Sequence, residues 1–145
     1  MPGRQKRILT NPVWTPDFAS DHPTIDDEHL GLLIALRGIL SGMESGQPSN
    51  TLVGAADALL GRCRAHFTNE EELLRRIGYP NVIQHSQSHQ SLLLKLSDVR
   101  NDFARGIEGS RERIAVRLHD LVVLHLLRED RDYFPYLSTS AEDGV

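Results

Sequence analysis

Apolar residues recur along this chain in steps of three and four over four separate stretches. That rhythm sets one face of an α-helix against a partner. The first stretch opens near Thr24, after Pro23, with Asp26, Asp27 and Glu28 in its opening turn, where the helix dipole favours acids. Its inward positions are Ile25, His29, Leu32, Leu36, Ile39 and Met43. "SGQPSN" at 45–50 predicts a loop, with Ser49 or Asn50 as the next helix cap. The second stripe steps through Leu52, Ala56, Leu59, Cys63, His66, Glu70, Leu73 and Ile77, and stops at Gly78. The third begins after "GYPN" and uses Val82, His85, His89, Leu92, Leu96, Val99 and Phe103, until "RGIEGS" at 105–110 breaks it. The fourth runs from about Ser110 toward Pro135, with Ile114, Leu118, Leu121, Val122 and His125 inward. No stretch alternates as a strand would.

Four amphipathic helices of roughly 20 residues, each ~30 Å long and joined by short loops, predict an all-α, antiparallel up-down-up-down four-helix bundle. One domain is expected over residues 1–145. An irregular N-terminal arm should cover about 1–22, with Trp14 and Phe18 packed over the bundle. The bundle itself should span about 23–136, and a flexible tail 137–145.

Composition narrows the class. A chain of 145 residues supports one hydrophobic core, and 39% apolar with 25% charged content is ordinary for a globular protein. The net charge of −4 gives no reason to expect nucleic acid. No run approaches the ~18 apolar residues of a membrane span. "MPGRQKRILTNPVW" at the start lacks the apolar stretch of a signal peptide. Cys63 is alone, which excludes an internal disulfide and a thiolate metal cage and fits a cytoplasmic location. Arg100, Arg105, Arg111, Arg113 and Arg117 are interleaved with Asp102, Glu108 and Glu112, as in a solvated connection.

The histidines change the picture. There are seven, and His29, His66, His85, His89 and His125 all fall on inward stripes together with Glu70. An unpaired polar group in a coreward slot costs roughly 1–3 kcal/mol, and a bare carboxylate much more. Against a net stability of ~5–15 kcal/mol, five such histidines drawn from all four helices need compensation. A bound cation supplies it, because neutral imidazoles and carboxylates are then satisfied as ligands. His66 with Glu70, and His85 with His89, are each one turn apart on one face, so each pair can converge on a point. HxxxH alone is frequent by chance; HxxxE and HxxxH on successive helices, with single histidines on the other two, is specific. Imidazole and carboxylate donors without cysteine suit non-haem iron first and manganese second. Five nitrogens exceed what one tetrahedral ion uses, so two ions sharing carboxylates is the economical reading. The Glu-x-x-His pairs of ferritin-like di-iron proteins and the HExxH of zinc proteases are both absent. His22 and His119 fall off the stripes and read as surface residues, and Cys63 as a small core hydrophobe.

In order, "TIDDEH" (24–29), "HFTNEE" (66–71), "YPNVIQHSQSH" (79–89) and "LHLLREDRDY" (124–133) resemble the four ligand motifs of the hemerythrins, in particular the bacterial single-domain members. The similarity covers about residues 14–136. It implies a non-haem centre of two iron ions bridged by an oxo or hydroxo group and two carboxylates. His85, His89 and His125 would hold one iron, His29 and His66 the other, and Glu70 and Asp130 would bridge both. Spacing alone does not choose Asp130: Glu129 sits at the better helical offset from His125, and Asp132 is also near. With six positions per iron, the three-histidine iron is full and the two-histidine iron keeps one vacancy. The resemblance implies that dioxygen binds there reversibly, in a dry pocket lined by Leu32, Phe67, Leu121 and Val122. Two departures stand out: Leu121 replaces the tryptophan common in the family, and Glu28 a glutamine common in bacterial members.

The expected function is oxygen transport, storage or delivery by a carrier that is not an enzyme. The rivals are an oxygen or nitric oxide sensor acting through a partner, and a di-iron oxidase, peroxidase or iron-handling repair protein; a metal-free interaction bundle is the weakest. Expected partners are dioxygen and an unidentified protein for delivery or signalling, with the chain itself a monomer that engages neither nucleic acid nor membrane.

Overall fold

The computed structural model describes residues 12–137; residues 1–11 and most of the expected tail lie outside the described residues. Helix α1 spans Pro23–Glu44, α2 Ser49–Arg76, α3 Val82–Arg105 and α4 Arg111–Leu124. Together they form the four-helix bundle expected from the stripes. The fourth element is not one continuous α-helix, however. After Leu124 the chain widens into a π-turn over His125–Glu129, tightens into a 3-10 turn over Asp130–Tyr133, and is α-helical again over residues 134–137. Among the described residues no helix is long and apolar enough to cross a membrane.

Local chemistry sets the helix ends. His22 caps α1: its Nδ1 accepts the Ile25 backbone N–H at 3.3 Å, and Pro23 takes the first helical position, where no N–H is needed. Ser20 ties the arm to the same turn, its Oγ donating to Asp26 Oδ1 at 2.7 Å. The histidine expected to be a plain surface residue therefore positions the helix that carries His29. Helix α2 is preceded by Pro48, with no side-chain cap, so Ser49 is helical and neither Ser49 nor Asn50 plays the expected role. Its far end closes where Gly78 adopts φ 76°, a left-handed conformation that costs a residue without Cβ little. There the Tyr79 N–H donates to Leu74 O at 2.9 Å and the Gly78 N–H to Arg75 O at 3.2 Å, a Schellman closure that turns Tyr79 into the interior.

The apolar interior falls into two clusters. The larger runs through Leu32–Met43 of α1, Leu52–Phe67 of α2, Leu92–Phe103 of α3 and Ile114–Leu126 of the last element, and Phe18 from the arm joins it. The smaller holds Ile25, Leu74, Tyr79, Tyr133 and Leu137. Trp14 and Phe18 pack together, their rings tilted by 35° with centroids 5.5 Å apart, over the bundle as expected. The stripes were too narrow. Leu33, Leu40, Leu60, Phe67, Val123 and Leu126 are also buried, because a core-facing helix presents more than 100° of its surface. One position also shifts: Leu74, four residues after Glu70, is fully buried, while Leu73 and Ile77 are only partly so.

Candidate metal centre

Each helix delivers its polar residues between the two apolar clusters. His29 comes from α1, His66 and Glu70 from α2, His85 and His89 from α3, and His125 and Asp130 from the end of the last element. All seven are buried, with His29, Glu70 and Asp130 wholly inaccessible. Their donor atoms form two sets, each lying within 4.8 Å of one another. One is His29, His66, Glu70 and Asp130, the other Glu70, His85, His89, His125 and Asp130.

The carboxylate oxygens divide between the sets. Glu70 Oε2 faces the Nε2 atoms of His29 at 3.3 Å and His66 at 3.0 Å. Its Oε1 faces those of His85 at 3.0 Å and His89 at 2.9 Å. Asp130 repeats the pattern, with Oδ2 2.9 Å from His29 and Oδ1 3.0 Å from both His85 and His125. Each carboxylate thus offers one oxygen to each set.

The π-turn explains how Asp130 reaches this point. In an α-helix a residue five positions on is rotated ~140° away from its start. Here the Asp130 N–H donates to the His125 carbonyl, the i→i+5 pattern of a wider turn, and both side chains face inward. Glu129, at the regular offset, instead reaches around to the other nitrogen of His125.

Three outer carboxylates repeat that contact. Glu28 lies 2.6 Å from His66 Nδ1, Glu71 2.6 Å from His89 Nδ1 and Glu129 2.6 Å from His125 Nδ1. An ionised carboxylate only accepts, so each Nδ1 carries the hydrogen and each Nε2 lone pair is turned toward the interior. The outer groups are themselves held: Asn69 donates to Glu28 at 3.1 Å and Ser86 to Glu71 at 3.0 Å. Tyr133 donates its hydroxyl to Glu70 Oε2 at 2.7 Å. Burial, then the charges of Asp130 and Glu70, push the phenol's pKa far up, so it stays a donor. The helical stripes give no hint of this outer role for the three glutamates. Their signal was position: each is the immediate neighbour of an inner group (His29, Glu70 or Asp130).

The donor set fits a cation. His66, His89 and His125 Nε2 and both Asp130 oxygens have no hydrogen-bond partner, although imidazoles and carboxylates stand about 3 Å apart. Their lone pairs point at shared centres instead of at one another. Neighbouring ligands of an octahedral ion with ~2.1 Å bonds are ~3.0 Å apart, against ~3.4 Å for a tetrahedral one; all but one of the seven contacts match the former.

Without a cation, protons take its place. Burial lowers the affinity of His29 and His85 for a proton, but the Asp130 and Glu70 carboxylates beside them outweigh it and raise both pKa values to about 9. Against the same burial, the charge of Asp130 and the Glu129 carboxylate bring His125 to about 10. Glu70 and Asp130 are buried, yet the surrounding imidazoles hold both well below the usual carboxylate range. Such histidines stabilise the fold fully below the unfolded value of 6.5, and the contribution vanishes as pH rises through 9 to 10. The carboxylates contribute above about pH 4 and lose that contribution below it. Metal-free protein should therefore melt at its highest temperature between these limits and progressively lower toward pH 10. Metal binding at neutral pH should release protons, measurable as acidification of a weakly buffered solution.

The remaining expected positions are mixed. Leu32, Phe67 and Val122 are buried. The Phe67 ring stacks on His89 at 3.8 Å and 5° and stands 5.7 Å from His66. Leu121 is half-buried, packing on the main core and also bordering a solvent-open groove between α3 and α4. His119, expected to be exposed, is half-buried, with Nδ1 3.1 Å from Asp120. Cys63 is a core residue, its thiol pushed up to about 12 by burial.

Residues 21–137 match the family model of the Hemerythrin HHE cation binding domain. Myohemerythrin-1 of Phascolopsis gouldii is 30% identical over 94 residues, 65% of this chain and 73% of that protein. A bacteriohemerythrin of Campylobacter jejuni is 27% identical over 78 residues, 54% of this chain and 59% of the relative. The bacteriohemerythrin of Clostridium acetobutylicum is 27% identical over 128 residues, 83% of this chain and 97% of its own length.

Proposed function

Since the chain belongs to the hemerythrin family, we propose that its buried centre holds two non-haem iron ions and binds dioxygen reversibly, for transport, storage or delivery. The observation that carries this reading is the division of Glu70 and Asp130, one oxygen of each toward His29 and His66 and the other toward His85, His89 and His125. In that assignment Glu70 and Asp130 would serve both ions, with His85, His89 and His125 holding one and His29 and His66 the other. Two such ions, when bound, would supply the two electrons that reversible dioxygen binding requires.

The protein's own residues do the rest. Glu28, Glu71 and Glu129 lock three imidazoles in the tautomer that presents Nε2 inward. Tyr133 fixes Glu70 from the closed end of the bundle. Leu32, one turn after His29, together with Phe67 and Val122, keeps water from the open position. That enclosure favours a carrier over an enzyme. Every donor comes from one chain, so a monomer suffices. A reducing cytoplasm suits both the free Cys63 and a ferrous resting state.

A second reading, a di-iron oxidase or peroxidase, is favoured by the same three outer glutamates, because anionic partners strengthen imidazole donation and stabilise the ferric state. One measurement separates the two. The carrier contains about two irons per chain, colours when the ferrous form meets oxygen, and bleaches when the gas is removed, over repeated cycles. Irreversible oxidation in one exposure, with a co-substrate consumed, establishes the oxidase instead.

A further inference from the structure

The solvent-open groove between α3 and α4 holds about 440 Å³, the size of a small-molecule cleft, and His125 is among the residues that line it. Leu121 and the exposed Leu124 give it an apolar surface. Lys95, Arg117 and Arg128 line it, with Asp120 and Glu129 as the acidic residues. The acids are engaged: Glu129 holds His125 Nδ1 at 2.6 Å and Asp120 lies 3.1 Å from His119. The cations are not. Arg117 has only a long contact of 3.8 Å to Asp98 across exposed side chains, and among the described residues Lys95 and Arg128 have no ionic partner. On a chain of net charge −4, free cations over apolar surface suit a small organic anion with an apolar body.

What that anion meets is a wire into the protein. One nitrogen of His125 is held by Glu129 at the groove, and the other stands 3.0 Å from Asp130 Oδ1 inside the centre. We propose that the groove binds a small anionic electron donor of the reduced-flavin-phosphate class and passes its electrons through His125 to the centre, returning ferric iron to the ferrous form. Each transfer oxidises the donor by one electron and reduces one ferric ion to ferrous; two transfers restore the pair, and no atom is exchanged. This rests on the di-iron reading above.

The test uses iron-loaded protein. Oxidised flavin mononucleotide, which cannot react, is titrated against the oxidised protein by flavin fluorescence. Reduced flavin mononucleotide and the cationic donor hexaammineruthenium(II) are then mixed anaerobically with it, and the loss of ferric absorbance is timed. In the double variant Lys95→Glu with Arg117→Glu, flavin binding weakens and reduction by flavin slows, each by about tenfold, while the ruthenium cation reacts as fast or faster. Arg75→Glu with Arg76→Glu, exposed at the end of α2, changes neither. The groove proposal is overturned if the double variant binds and accepts electrons from flavin as wild type does, or if both donors slow alike. Iron content, measured on every sample, separates this from failure of the di-iron reading, and flavin binding to the wild-type groove is read whatever metal is found.

Discussion

Glu70→Ala is expected to strip iron from both halves of the centre at once, leaving well under one ion per chain. Its two oxygens face four of the five histidines, so no half retains its full set of donors. The damage extends past the metal. Asp130 is then the one inner carboxylate left among the five buried imidazoles, and the Tyr133 hydroxyl loses its acceptor. Removing one partner from a buried charged network costs about 3–5 kcal/mol, which lowers the melting temperature by roughly 10–16 °C in a domain of this size. Metal analysis and calorimetry on the same preparation check both parts. Two irons retained in the alanine variant would falsify the bridging assignment.

The second large effect comes from a pair of neighbours. Asp130→Asn is expected to lose most of the iron, because it removes a buried anion from both sets and replaces one carboxylate oxygen with an amide nitrogen that has no lone pair to offer a metal. Glu129→Gln is expected to keep its iron. The amide oxygen still accepts from His125 Nδ1, and the change weakens metal affinity by about tenfold, within the range of lost outer partners. If the order is reversed, with Glu129→Gln losing iron and Asp130→Asn keeping it, the π-turn does not do what its hydrogen bonds imply. Metal content after dialysis against a weak chelator distinguishes the two variants directly.

That pair also marks where reading the chain succeeds and where it stops. His29, His66, Glu70, His85 and His89 are legible because they sit in regular helix, where steps of three and four map onto one face. Asp130 is not, because the geometry that brings it inward exists only in the π-turn, and no residue type in "HLLRE" announces one. The outer glutamates are hidden for another reason. Glu28, Glu71 and Glu129 keep part of their surface in water, so on the stripes they look like ordinary solvated acids. His22 was misjudged because capping depends on a backbone turn, not on a face. The bundle itself needed no such detail, since its hydrophobic steps survive an error of one residue, as Leu74 shows.

The division of the apolar interior has a consequence for how iron would leave. The smaller cluster, built on Ile25, Leu74, Tyr79, Tyr133 and Leu137, stoppers one end of the bundle, and the larger one anchors the other. With far fewer side chains to hold it, the stopper is the part that yields first to thermal opening. Tyr133 belongs to it and also holds Glu70, so the same excursion that uncorks the bundle slackens the centre. Leakage of metal and fraying of that end should therefore share one clock.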